Sequence, residues 1–202
     1  AADAVGAFLD RLREDQRFAA IEVKQSWSRT VPFRHLRVKL KREIVPLGDC
    51  NIDPKGAPAP RIDAATLRQW LDEGRDLVLL DTRNHFEFEQ GAFDGAVELG
   101  IGNFRAFPEA VAARLDDWRD RTIVTYCTGG IRCEKAAPVM RQLGFRDVYQ
   151  LEGGILKYFE EMGAARFHGK CFVFDERVAL DADLKPHAEG LETRLGGSIS
   201  ES

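Results

Sequence analysis

Thr122-Ile123-Val124-Thr125-Tyr126-Cys127-Thr128-Gly129-Gly130-Ile131-Arg132-Cys133-Glu134-Lys135 is a short apolar strand, a tight glycine-bearing loop opened by a cysteine, and the start of a helix. Three physical effects meet there. The thiolate, not the thiol, is the nucleophile, and a cysteine facing a helix N-terminus beside an arginine has its pKa lowered. Gly129 and Gly130 take backbone angles closed to other residues, so successive N–H groups can turn inward as an anion-binding nest. Arg132 adds a permanent charge and a planar fork of donors. A cysteine within a strand is usually a packing residue. Cys127 instead ends its strand, outside the carboxyl edge where open α/β sheets bind ligands.

Working outward, the flanking segments read as alternating strands and helices. Asp63 caps a helix over 64–73, whose Leu67, Trp70 and Leu71 form its buried face and which Gly74 stops. Leu77-Val78-Leu79-Leu80 is a continuous apolar run, the mark of a strand covered on both faces, and it leads into Asp81-Thr82-Arg83. A weaker strand at 96–99, a helix over 108–118, the strand 123–126, a helix over 132–143 closed by Gly144, a strand at 147–151 and a helix over 155–162 follow. Pro138 falls inside the second of these helices. This order predicts an α/β fold, a parallel sheet with helices on both faces. Residues 166–202 form an apolar stretch, Phe167 to Val178, and then a polar tail.

Upstream, apolar residues at Val5, Phe8, Leu9 and Leu12 predict a helix over 4–15, followed by a short strand at 20–23. In the stretch from Pro32 to Val45, Leu36, Val38 and Leu40 alternate with His35, Arg37, Lys39 and Lys41. That spacing predicts a strand with one apolar and one basic face. Residues 1–47 are assigned to a partial N-terminal α+β domain. The Pro- and Gly-rich stretch 48–60 is a linker, 61–165 the main domain and 166–202 an extension.

Bulk properties bound the function. The chain has 202 residues, 44% of them hydrophobic, and a formal net charge of -4. It is long enough for one ordinary domain and a smaller one. The acidic balance places any nucleic-acid contact in a local patch. No apolar run approaches the ~20 residues of a membrane span. Four cysteines without CxxC spacing make no disulfide framework, so a reducing cytoplasmic setting is expected. His35, His85, His168 and His187 are scattered without ligand spacing, so no metal site is expected, and there is no GxGxxG for a dinucleotide.

The loop from Cys127 to Arg132 resembles the active-site loop of rhodanese domains, a cysteine-based sulfur-transfer fold. A phosphatase loop of similar build spaces its cysteine and arginine one residue further apart. The longer string Cys127-Thr-Gly-Gly-Ile-Arg-Cys-Glu-Lys135 is similar to the rhodanese-domain tRNA uridine hydroxylases of bacteria. Further segments resembling that family are 34–48, 81–87, 104–111, 151–154 and 172–177. The resemblance implies a rhodanese-like sheet preceded by a small ferredoxin-like α+β domain. By that resemblance, the small domain is expected to hold further N-terminal strands that do not stand in this sequence.

The activity the resemblance implies is oxygen-dependent 5-hydroxylation of the wobble uridine, with Cys127 catalytic, tRNA as partner and molecular oxygen as co-substrate. No cofactor is visible in the sequence. Thr128, Gly129, Gly130, Ile131 and Arg132 would form the active-site loop. Asp81 and Arg83 would border the pocket or brace its loops as a salt bridge. Cys133 is open between a resolving thiol and a small residue packed in the first helical turn. With the tRNA resemblance, Arg34, Arg37, Lys39 and Lys41 become candidates for RNA phosphate contacts. Two other functions stay open: a sulfurtransferase carrying sulfane sulfur from a donor on a Cys127 persulfide, and a partner-binding module without catalysis. The intact nucleophile argues against the module.

Overall fold

The computed structural model of the chain describes residues 2–21, 23, 33, 35, 38–48, 52, 58–175 and 177–186. The chain divides into two compact units, Ala1–Val31 and Pro32–Ser202. In the first, helix α1 spans Ala2–Arg13, and Asp15 caps a 3-10 turn at Gln16–Phe18 by accepting the Arg17 N–H. Of the strand expected at 20–23, residue 20 lies in a turn and residues 21 and 23 are in no strand, while residue 22 lies outside the described residues.

The second unit is the α/β body, with helices on both faces of a parallel sheet, as the alternation predicted. In chain order it opens with β1 (Arg61–Ile62), α2 (Ala64–Asp72), β2 (Val78–Asp81), α3 (His85–Phe88) and β3 (Gly91–Phe93). Next come α4 (Phe107–Ala112), α5 (Leu115–Trp118), β4 (Thr122–Tyr126), α6 (Cys133–Leu143) and β5 (Asp147–Leu151). It ends with α7 (Gly154–Met162), β6 (Phe167–Gly169), β7 (Cys171–Phe172) and β8 (Ala179–Leu180). The main sheet has the order β1-β5-β4-β2, every pairing parallel, so β4 lies inside it with a neighbour on each side.

Alternation along the strands builds two cores. Val78, Leu80, Ile123 and Val148 face a cluster closed by α4 and α6. Leu79, Val124, Tyr126 and Leu151 face the opposite cluster, closed by α2 and α7. Local signals set the ends of the elements. The Asp63 carboxylate accepts the Thr66 N–H at 2.7 Å, and α6 stops at Gly144 in the left-handed conformation, φ 105°.

Three further expectations are corrected. The helix over 108–118 is two helices, α4 and α5, parted at Ala113-Arg114. The strand at 96–99 shrinks to one bridge between Val97 and Leu80. There the Glu98 carboxylate turns aside to His85 and to the Gly100 N–H, which takes the chain off the sheet edge. Finally, residues 38–48 form no strand, and Val38 and Leu40 are as exposed as Lys39 and Lys41. Alternation produces a two-faced strand only where a neighbouring strand and a core receive it, and among the described residues, 38–41 have neither. Arg34 and Arg37 lie outside the described residues. Further on, Leu47 inserts into the α4–α6 core with Val45 and Ile52 packed against it. Among the described residues no helix is long and apolar enough to cross a membrane.

Candidate active site

Cys127 follows the last residue of β4, at the carboxyl end of an internal parallel strand, and only 3% of it is exposed. The loop wraps its sulfur. Gly130, at φ 89°, donates its N–H to Cys127 Sγ at 3.1 Å. The start of α7 fixes the loop from behind: Ile155 N–H donates to the Cys127 carbonyl at 3.0 Å and Leu156 N–H to the Thr128 carbonyl at 3.1 Å. This approach depends on Gly154, where a Cβ would lie 2.3 Å from the Cys127 carbonyl oxygen at φ 64°. Thr128 Oγ1 donates to the Phe172 carbonyl at 3.5 Å and so reaches β7.

Electrostatics favour the thiolate form of the sulfur. The Cys133 thiol is the leading influence that lowers the Cys127 sulfur, and the Arg132 charge and the Arg132 and Gly129 N–H groups act with it. Together they overcome burial and draw the Cys127 thiol down to about 6. Cys133 is fully buried at the first position of α6, and burial, then its bond to Cys127, pushes its own pKa well above the ordinary thiol value. Cys133 also touches Thr82 Oγ1 at 3.6 Å, while the Thr82 hydroxyl donates to the Tyr126 carbonyl at 2.9 Å. Cys133 is thus packed in the first turn of α6 and acts on the Cys127 thiol.

Arg132 does not stand open at the mouth of the loop. Its guanidinium pairs with Glu87 of α3, Nη1 to Oε2 at 2.8 Å and Nη2 to Oε1 at 3.1 Å. The Glu87 side chain is fully buried and also accepts the Asn84 N–H at 3.1 Å. Sequence reasoning passed over Glu87. The available signal, Asn84 followed three positions later by a glutamate, reads as an ordinary capping pattern.

Asp81 and Arg83 form a second buried pair. Arg83 Nη2 lies 2.6 Å from Asp81 Oδ2, and the same nitrogen donates to the Gly91 carbonyl at 2.6 Å. That geometry ties the end of β2 to β3. Lys135 leaves the loop for the segment before β1: its Nζ donates to the Val45 carbonyl at 2.7 Å and lies 3.4 Å from Glu43. Lys39 and Lys41 are exposed on that segment. Cys171, in β7, is buried, and burial pushes its thiol up to about 12. Among the described residues, no three His, Cys, Asp or Glu side chains cluster as metal ligands.

An internal parallel strand ending in a lowered-pKa cysteine, wrapped by backbone N–H groups and an arginine, defines an α/β domain of the rhodanese class. The rhodanese-like domain family matches residues 63–161, and the UPF0176 acylphosphatase like domain matches residues 1–44. A protein of Variovorax paradoxus named tRNA uridine(34) hydroxylase is 52% identical over 202 residues, covering 98% of this chain and 77% of that one. A protein of the same name from Bordetella parapertussis is 56% identical over 188 residues, covering 93% of this chain and 79% of its own. The rhodanese-like domain of an Anabaena protein, solved in solution, superposes with a TM-score of 0.46 at 20% identity. It covers 71% of this chain and 89% of that domain. The chain belongs to the tRNA uridine(34) hydroxylase family, the one its cysteine-loop residues resemble.

Proposed function

We propose that this protein is an enzyme that hydroxylates the wobble uridine of tRNA at C5, with molecular oxygen as co-substrate and Cys127 as its nucleophile. One observation carries the chemistry. Cys127 Sγ sits at the end of β4 with the Gly130 N–H at 3.1 Å and a thiol pKa drawn down to about 6, in a chain 52% identical to a named hydroxylase. At neutral pH such a sulfur is mostly thiolate, which gives it nucleophilic character without a separate base. Arg132 and the loop N–H groups hold negative charge at that point, and Cys133 supplies a further donor. Asp81, Arg83 and Glu87 act through position, fixing the loops and the arginine that shape the site.

The same cradle favours a second reading, because N–H groups that hold a thiolate also hold the terminal sulfur of a persulfide. Mass spectrometry of tRNA nucleosides separates the two. In cells lacking the gene, 5-hydroxyuridine derivatives should vanish, return with the wild-type protein and stay absent with Cys127→Ser. Unchanged 5-hydroxyuridine together with a fall in thiolated nucleosides would make the protein a sulfur carrier.

A further inference from the structure

Three large apolar side chains stand exposed on segments tied to the Cys127 loop: Phe86 of α3 (42%), Ile131 of the loop (51%) and Phe174 after β7 (64%). Single exposed hydrophobic residues are ordinary on a protein surface. These three are tied to one place. Phe172 lies between the two other rings, edge-on to Phe86 with centroids 5.2 Å apart and to Phe174 at 5.0 Å. The Phe172 carbonyl accepts from Thr128 of the cysteine loop. Phe86 and Ile131 are the chain neighbours of Glu87 and Arg132, the buried ion pair, and the Arg132 guanidinium lies 5.6 Å from the Phe174 ring centroid.

We propose that Phe86 and Phe174 are specificity-determining residues, a stacking platform that receives the target uracil base beside Cys127, with Ile131 as its apolar edge. The proposal rests on the hydroxylase reading and adds the residues that hold the base. The chemistry of the rim selects the occupant. The face of an aromatic ring is negative, so an anionic sulfur donor such as thiosulfate gains nothing there. A neutral, flat base gains stacking. With a guanidinium over one face of Phe174 and that residue 64% exposed, ring surface remains for a second flat group. A base that undergoes chemistry must leave the stack of its own strand, and aromatic side chains replace the partners it loses.

The test uses the full chain and two anticodon stem-loop RNAs, one with uridine at position 34 and one abasic there, with binding followed by fluorescence anisotropy. Wild type should prefer the uridine RNA by about tenfold, the scale of one base–aromatic stack. Phe86→Leu and Phe174→Leu keep apolar bulk without a π face and should each lose most of that preference. Phe174→Trp should keep it, and unchanged thermal melting would show each variant folded. If the leucine variants discriminate as wild type does, or if wild type hydroxylates tRNA with no preference for the uridine RNA, the platform is wrong and the hydroxylase reading stands. If the wild-type chain neither binds nor hydroxylates tRNA, both fall.

Discussion

Cys127 and Cys171 are both buried thiols of one domain, and the structure drives them in opposite directions. Cys171, in β7, has the Arg83 charge and Thr128 nearby, yet burial dominates and its thiol is pushed up to about 12. Cys127 is as well shielded from solvent, but the Cys133 thiol, Arg132 and backbone N–H groups converge on its sulfur and draw it down to about 6. Burial alone makes a thiol inert. Burial with donors aimed at the sulfur makes a nucleophile, because the donors replace the water that the thiolate loses.

The sharpest way to break this contrast is to remove each sulfur in turn. Cys127→Ser should lower tRNA hydroxylation by roughly a thousandfold or more, as loss of a covalent nucleophile does. Cys171→Ala should leave hydroxylation near wild type and cost on the order of 1–2 kcal/mol of stability, as a small cavity in a core does. Activity assays and urea unfolding of both variants read the two effects, and equal activity losses would erase the distinction.

A second test strips a support from beneath Arg132. Glu87→Ala leaves that largely buried guanidinium without its carboxylate and should destabilise the domain by about 3–5 kcal/mol, measured by urea unfolding. A loss below about 1 kcal/mol would place the pair among solvent-screened ones.

The third test follows the Cys127 titration. Iodoacetamide alkylation of Cys127 should reach half its maximal rate near pH 6, where the thiolate forms. Cys133→Ala removes the leading donor and should move the midpoint upward, toward the ordinary thiol value of 9.0. A midpoint that stays put would assign the lowering to Arg132 and the backbone. The sign of the stability effect differs between the two thiols. Cys127 is lowered, so its contribution is complete above the unfolded value near 9.0 and is lost as pH falls through about 6. Cys171 is raised, so its contribution is present below 9.0 and is lost as pH climbs toward 12.

The smallest effect lies outside the pair. Lys39→Glu with Lys41→Glu should weaken tRNA binding by about tenfold at low salt and leave Cys127 alkylation unchanged, since each exposed cation neutralises at most one phosphate. Unchanged affinity would move the RNA surface elsewhere.

The two thiols also mark what was legible in the sequence. Cys127 stood out because a strand end, two glycines and an arginine surround it within one continuous stretch. The Asp63 cap, the Gly144 stop and the two-faced strands were equally local and equally readable. Cys171 lay in an apolar stretch with no such neighbours. The basic strand is absent over the described residues 38–41 for a related reason: alternation is a local pattern, but a strand needs a partner that no local pattern supplies. Glu87 was hidden by having a sufficient local explanation, a helix cap, while its guanidinium partner lies far along the chain.

Sequence by itself determined the class of fold through periodicity and caps, marked Cys127 as the candidate nucleophile and, through the resemblance of its loop, pointed to the family, because all of these are properties of neighbouring residues. Only the tertiary structure decided that the Cys133 thiol lowers that of Cys127, that Arg132 is paired with Glu87 and that Phe86, Phe172 and Phe174 gather at one rim. Those facts depend on which distant segments the sheet and its helices bring together, and the environment of a charge or a ring is set by neighbours in space.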